Sequence, residues 1–181
     1  PDPNRESVER STPEGRSQRR TTVTTKRTGA CLEGRLFRAT VLAALGPKML
    51  ELAATKTKGA HPYFTTPEHT AMARKTMGPD AWLCVEQKVL LETDPAKARN
   101  LARLTAGIYL GLENYRNNWK RLGFADSDFA NGGSDRFIDA TVACGDVSVL
   151  QKRVRAHLDA GASHVCIQPI GRGADHLGVD Q

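Results

Sequence analysis

From Thr40 onward the chain alternates short apolar runs with stretches whose apolar residues recur at helical spacing. Four runs read as strands: VLAAL (41–45), AHPYF (60–64), WLCVEQKVLLE (82–92) and HVCIQPI (164–170). Pro62 confines its strand to an end or a bulge, because proline brings no N–H to a ladder. The stretches between them open on capping residues or proline. Gly46 and Pro47 start a helix with Met49, Leu52 and Ala53 on one face, and Thr65 or Thr66 caps a second that carries Pro67 and Glu68 and ends near Gly78. Asp94 and Pro95 open a long helical region reaching about Leu122, which Gly107 or Gly111 is expected to break. Ser134 caps a short helix, DRFIDATVAC, and Asp146 caps VSVLQKRVRAHLDAGA, where Leu150, Val154 and Leu158 repeat every four residues until Gly161 ends it.

This alternation predicts an α/β fold of parallel strands joined by right-handed crossovers. A closed (β/α)8 barrel has eight such units, and four are visible, so a partial barrel is expected. A partial barrel leaves two sheet edges unpaired, and self-association of two copies through those edges is the expected remedy.

Composition divides the chain further. With 181 residues, 39% of them apolar and 25% charged, it has the balance of one globular domain. The charge is uneven: residues 1–40 hold nine Lys or Arg against five acids, +4 of the formal +6. That segment is rich in Ser, Thr, Arg and Pro and poor in apolar residues, so it reads as a disordered tail, with residues 171–181 as a loose end. Arg16, Arg19, Arg20, Lys26 and Arg27 have no aromatic residues between them to stack on bases, so no nucleic-acid partner is expected. Glu6, Glu9 and Glu14 argue against a transit peptide, and no apolar run is long enough for a membrane span, so the expected place is the cytoplasm. Cys31, Cys84, Cys144 and Cys166 form no CxxC pair and are expected as reduced, mostly buried thiols.

Candidate chemistry belongs at the carboxyl ends of the strands, where helix N-termini present free N–H groups. Leu45, Gly46, Pro47 and Lys48 stand at such a point. Spacing alone fits a structural turn better than an anion site there, and both remain open. The next crossover offers His61, Tyr63, Thr65, Thr66 and His69, with His69 expected at the surface. His164 and Cys166 share a strand face without a third ligand nearby, so no metal is expected. Asp126, Asp128, Asp135 and Asp139 fall at loop and cap positions and read as a solvated surface, and no Ser–His–Asp or Cys–His set is visible. In YRNNWKRLGF, Tyr115, Trp119 and Leu122 are expected to pack inward while Arg116 and Lys120 face water.

Taken as wording, ALGPKMLELAATKTKGAHPYFTTPEHT, EQKVLLETDPAKAR, YLGLENYRNNWKRLGF, GGSDRFIDATVACGD and VRAHLDAGASHVCIQPI, in that order, resemble the C-terminal half of luciferase-like monooxygenases, specifically their deazaflavin-dependent oxidoreductases. The likeness covers residues 41–170 and implies strands five to eight of a TIM barrel. It further implies coenzyme F420, with FMN the alternative used by sister groups, and hydride transfer to or from a small organic substrate. In that family the turn after the fifth strand holds the coenzyme's phosphate-bearing tail, which carries Leu45, Gly46 and Lys48 over as cofactor-binding candidates. The following turn touches substrate or coenzyme tail, which carries over Tyr63 and Thr66. The family's first four strands, which cradle the ring and bear the proton-transfer group, have no counterpart in residues 1–40. Catalytic residues are therefore unassigned, and the alternative expectation is a non-catalytic half-barrel or phosphate-binding module.

Overall fold

The computed structural model of the chain describes residues 40–170. The tail expected over 1–40, Thr40 apart, and the loose end over 171–181 lie outside the described residues, as does Cys31.

Capping chemistry sets the helix boundaries. Strand β1 (Val41–Leu42) runs into Gly46, the N-cap of α1 (Pro47–Lys56), whose first position is Pro47. Strand β2 (Gly59–Ala60) leads to Thr66, whose side chain accepts from the His69 N–H and caps α2 (Pro67–Met77). Strand β3 (Trp82–Leu90) is followed by Asp94, whose carboxylate accepts from the N–H groups of Ala96 and Lys97 and starts α3 (Pro95–Leu110). The long helical region breaks at Gly111 rather than Gly107, and α4 (Glu113–Arg121) follows. A 3-10 segment (Asp126–Gly132) leads to Ser134, the cap of α5 (Asp135–Thr141). Strand β4 (Val142–Cys144), α6 (Val147–Asp159) capped by Asp146, and β5 (His164–Pro169) complete the described chain.

All strand pairs are parallel. The four expected strands are present, β1 and β2 only as two-residue ladders. The fifth, β4, corrects the reading of DRFIDATVAC as one helix: α5 stops at Thr141 and Val142–Cys144 pairs with Lys88–Leu90. Hydrogen bonds give the reason. Trp82 and Glu86 donate to the carbonyls of Lys58 and Pro62, so β2 uses one edge of β3 until the chain turns away after Pro62. The Leu90 carbonyl, on that same edge, accepts from Gly145, so β4 takes the vacated length. Residues of the opposite register, Leu83 and Val89, accept from Ser163 and Ile170, which puts β5 on the other edge. Tertiary pairing thus outweighs the local helical continuation, as is common for short β-branched segments.

At Gly59 the backbones come so close that a Cβ would run into the Trp82 carbonyl, so this strand start requires glycine. Two cores flank β3. Leu83 and Val85 join Leu50, Ala53, Ala60, Ala73 and Met77 beneath α1 and α2. The opposite face is covered by an aromatic cluster in which Phe64, Trp119, Phe124, Phe129 and Phe137 are buried and Tyr63, Tyr109 and Tyr115 partly so. Edge-on contacts such as Trp119–Phe137, 4.7 Å between centroids, suit the ring quadrupoles. Trp119 and Leu122 pack inward as expected, and Arg116 and Lys120 pair with Asp126 at the surface. The thiols are less buried than expected: Cys84 and Cys144 are half-buried and Cys166, on β5, is exposed.

Candidate functional site

The carboxyl ends of β1 and β2 open into a cavity of about 390 Å³ bounded by α1 and α4. Its wall comes from Ala43 to Gly46, Met49, His61, Tyr63, Asn114, Tyr115, Asn117 and Arg121, with no carboxylate among these described residues. Helix α1 begins there without a side-chain cap. Pro47 has no N–H, so the first amide this helix end offers is that of Lys48. Gly46 has φ of −86°, open to any residue, so conformation does not require glycine. A Cβ at Gly46 would lie 3.6 Å from Nη1 of Arg121, in the space beneath that guanidinium. Glycine here keeps a positive helix end and a guanidinium side by side around an open volume, an arrangement that suits an anion.

The turn from β2 to α2 forms the second wall and is held firmly. Phe64 has φ of 55°, a left-handed conformation costly for an aromatic residue. Its N–H donates to Glu86 Oε2 at 2.9 Å, and its carbonyl accepts from Trp119 Nε1 at 3.2 Å. The clamp turns Tyr63 toward the cavity, where its hydroxyl donates to Gln168 Oε1 at 2.6 Å and accepts from the Tyr109 hydroxyl at 3.3 Å. Behind it, Lys88 Nζ lies 3.1 Å from both Glu86 Oε1 and Gln168 Oε1, and 3.9 Å from the Tyr63 ring centroid. Burial pushes the Lys88 ammonium down and the Glu86 carboxyl up, each opposed by the partner's charge. Burial also pushes the Tyr115 phenol up to about 12, so it stays protonated.

Of the five carried-over residues, Leu45, Gly46 and Tyr63 meet at the cavity wall. The Lys48 side chain is exposed beside it, and Thr66 is buried as the cap of α2. His69, expected at the surface, is fully buried: its Nε2–H donates to the Leu45 carbonyl at 2.8 Å and ties α2 to the turn. Burial holds its pKa below the ordinary value, the Leu45 bond works against this, and the Arg121 charge adds to it. Arg121 and Asn114 escaped the sequence reading because they lie some seventy residues from Gly46. The available signal was the spacing Asn114, Asn117, Arg121, which places them on one side of a helix.

A larger hollow, about 920 Å³, is elsewhere, a groove along α6 lined by Val147, Leu150, Val154, Leu158 and Ile167 among others. It lies on the flank of β5, away from the cavity beside Gly46. Asp126, Asp135 and Asp139 pair with arginines or Lys120 at the surface, as expected, whereas Asp128 is 13% exposed and accepts from the Ala125 N–H and the Ser134 hydroxyl as well as from Arg136. Among the described residues no three His, Cys, Asp or Glu are grouped to hold a metal ion, and no helix is long and apolar enough to cross a membrane.

No protein-family model and no curated protein sequence matches the chain. Solved structures do. An F420-dependent secondary alcohol dehydrogenase in complex with an F420-acetone adduct superposes with a TM-score of 0.50 at 14% identity, over 70% of this chain and 42% of that one. A coenzyme F420-dependent tetrahydromethanopterin reductase from Methanopyrus kandleri superposes with a TM-score of 0.50 at 16% identity, over 70% of this chain and 43% of that one. These likenesses show a shared fold, part of a TIM barrel. The chain spans less than half the length of either protein.

Proposed function

We propose that the chain is the C-terminal half-barrel of a luciferase-like oxidoreductase that transfers hydride between coenzyme F420 and a small organic substrate. The cavity beside Gly46 holds the coenzyme's phosphate-bearing tail. The observation that carries this is the Arg121 guanidinium beside the side-chain-free start of α1, in a cavity with no carboxylate among its described lining residues. Both superposed proteins depend on coenzyme F420, which supports the choice of cofactor.

In this reading the Leu45–Gly46 backbone and the Lys48 amide receive the phosphate, and the Lys48 side chain adds charge from the rim. Tyr63 faces the substrate or tail, and Thr66 holds its turn by capping α2. When bound, the deazaflavin supplies the hydride chemistry. The chain's described residues bind and orient it. A second copy pairing through the outer edges of β1 and β5 would extend the sheet, and light scattering of the purified chain reads that state directly.

Fluorescence titration with coenzyme F420, with FMN in parallel, tests the proposal. Saturable binding of F420 is expected, weakened about ten- to hundredfold by Arg121→Ala, the size of a lost charge-assisted hydrogen bond. Absence of saturation at submillimolar coenzyme would sink the proposal. Preference for FMN would redirect it to the sister chemistry. Binding without hydride transfer would favour a phosphate-binding module over an enzyme.

A further inference from the structure

Helix α3 turns Ala98, Ala102, Ala106 and Leu110 into the fold. Its other side carries Lys97, Leu101, Leu104, Ile108 and, just past its end, Gly111, in the alternating four- and three-residue steps of a seam between two packed helices. A helix face turned to water is ordinarily polar, yet here Leu104 is 70% exposed and Ile108 61%. Two glycines lie in or beside the same stripe, and the fold requires neither. Gly107 leaves the helix unbroken, and a Cβ built on it meets nothing within 4 Å. Gly111 has φ of −79°, open to any residue, and a Cβ there would touch only the Ile108 carbonyl, at an ordinary 3.6 Å. Glycine weakens a helix relative to alanine, and what it provides in return is a low surface on which another backbone can lie closely. The two ends of the stripe are opposite in charge: exposed Lys97 at one, and at the other Glu113, exposed in the first turn of α4 and paired with no cation among the described residues.

We infer that this face of α3 docks on the same face of a second copy, the two helices antiparallel about a two-fold axis at Leu104. The stripe is symmetric about that residue. The axis sets Leu104 against its own counterpart, Leu101 over Gly107 and Ile108 of the other copy, and Lys97 over the other copy's Gly111, within reach of its Glu113. A parallel pair would instead set Lys97 beside Lys97. Both copies use one patch, so the contact closes at two and does not polymerise. This surface is separate from the outer edges of β1 and β5 and from the cavity beside Gly46, and the inference is independent of the coenzyme reading. A single helix pair is a small interface, so a dissociation constant of roughly 10 µM to 1 mM is expected.

Sedimentation equilibrium of the full chain across about that concentration range tests it, with a monomer–dimer equilibrium expected. Leu104→Lys, which sets two like charges at the axis, should weaken the dimer about a hundredfold or more. Gly107→Ala should weaken it about threefold or more while raising the thermal midpoint of the dilute protein by about 2–4 °C, a combination that a glycine kept for the monomer's own fold would not produce. Lys97→Glu should weaken the dimer about three- to tenfold, and adding Glu113→Lys should restore it. A chain monomeric at every concentration overturns the inference, as does a dimer that Leu104→Lys leaves intact, which would assign dimerisation to the sheet edges. A dimer equally tight with Gly107→Ala, or indifferent to both charge changes, is not this close antiparallel pair and overturns it as well.

Discussion

The two faces of β3 bury polar groups in opposite ways. On one face Glu86 and Lys88 form an ion pair with side chains 2% and 0% exposed, beneath Tyr63, Phe64 and Tyr109. On the other, Gln87 accepts from His157 Nε2–H at 2.8 Å and donates to the Lys88 and Thr141 carbonyls, while Thr70 meets His157 Nδ1 at 2.8 Å. The second face is a neutral, nearly saturated network that joins α2, β3, α5 and α6. The first keeps two charges out of water and needs rings over the cation to do so. The neutral network lies against helices α2, α5 and α6. The charged face supports the Phe64 turn and, through Gln168, orients Tyr63 at the cavity. Buried charge is thus placed where it holds the candidate site, and neutral hydrogen bonding where only packing is at stake.

Breaking one partner of the ion pair should have the largest effect. Lys88→Met leaves Glu86 buried and unpaired and should lower the unfolding free energy by about 3–5 kcal/mol in urea denaturation. Adding Glu86→Gln, which still accepts from the Phe64 N–H, should restore most of that loss. A single variant as stable as the parent would contradict the buried-charge account.

The neutral face should show itself in acid. Burial, with the nearby Arg153 charge, lowers the His157 pKa to about 4, against 6.5 for the ordinary group. The unfolded chain therefore takes up this proton first as pH falls. The contribution of His157 is complete above pH 6.5 and is lost between 6.5 and about 4, roughly 3 kcal/mol in all. Unfolding measured across that range should show the decline, and His157→Gln should flatten it. Equal slopes in both proteins would assign the acid sensitivity elsewhere.

The smallest effect is expected where charges pair without burial. Arg99 bridges Asp135 and Asp139, which are 57% and 50% exposed. Arg99→Ala should leave the denaturation midpoint in place, since solvent screens such pairs. A large shift there would erase the distinction between exposed and buried charge on which the comparison of the two faces depends.

Much of the framework could be read in the sequence. Pro47, Pro67 and Pro95 marked helix starts, and Gly46, Thr66, Asp94, Ser134 and Asp146 cap where their chemistry says they should. Two elements resisted. β4 has the composition of a helix end and becomes a strand only because β2 leaves part of an edge of β3 free. His69 looked like a surface histidine on a capped helix, yet the chain folds the Leu45 carbonyl onto it. Within the candidate site, the turn at Gly46 was legible, since a Gly-Pro after an apolar run is a local signal. Arg121 and the orientation of His61 were not, because each is defined by a partner distant in sequence: the backbone of Gly46 for one, the Cys84 carbonyl, 2.6 Å from Nδ1, for the other.

The sequence by itself determined what depends on neighbours along the chain: the caps, the periodic faces, the break near Gly111 and the parallel α/β class. Those follow from backbone donors and side-chain spacing within a few residues. Only the tertiary structure decided which edge of β3 each strand uses, that Glu86 and Lys88 are buried together, and that a guanidinium, an uncapped helix start and a fixed imidazole share one cavity. Those outcomes depend on desolvation and on contacts between elements, which local spacing does not encode.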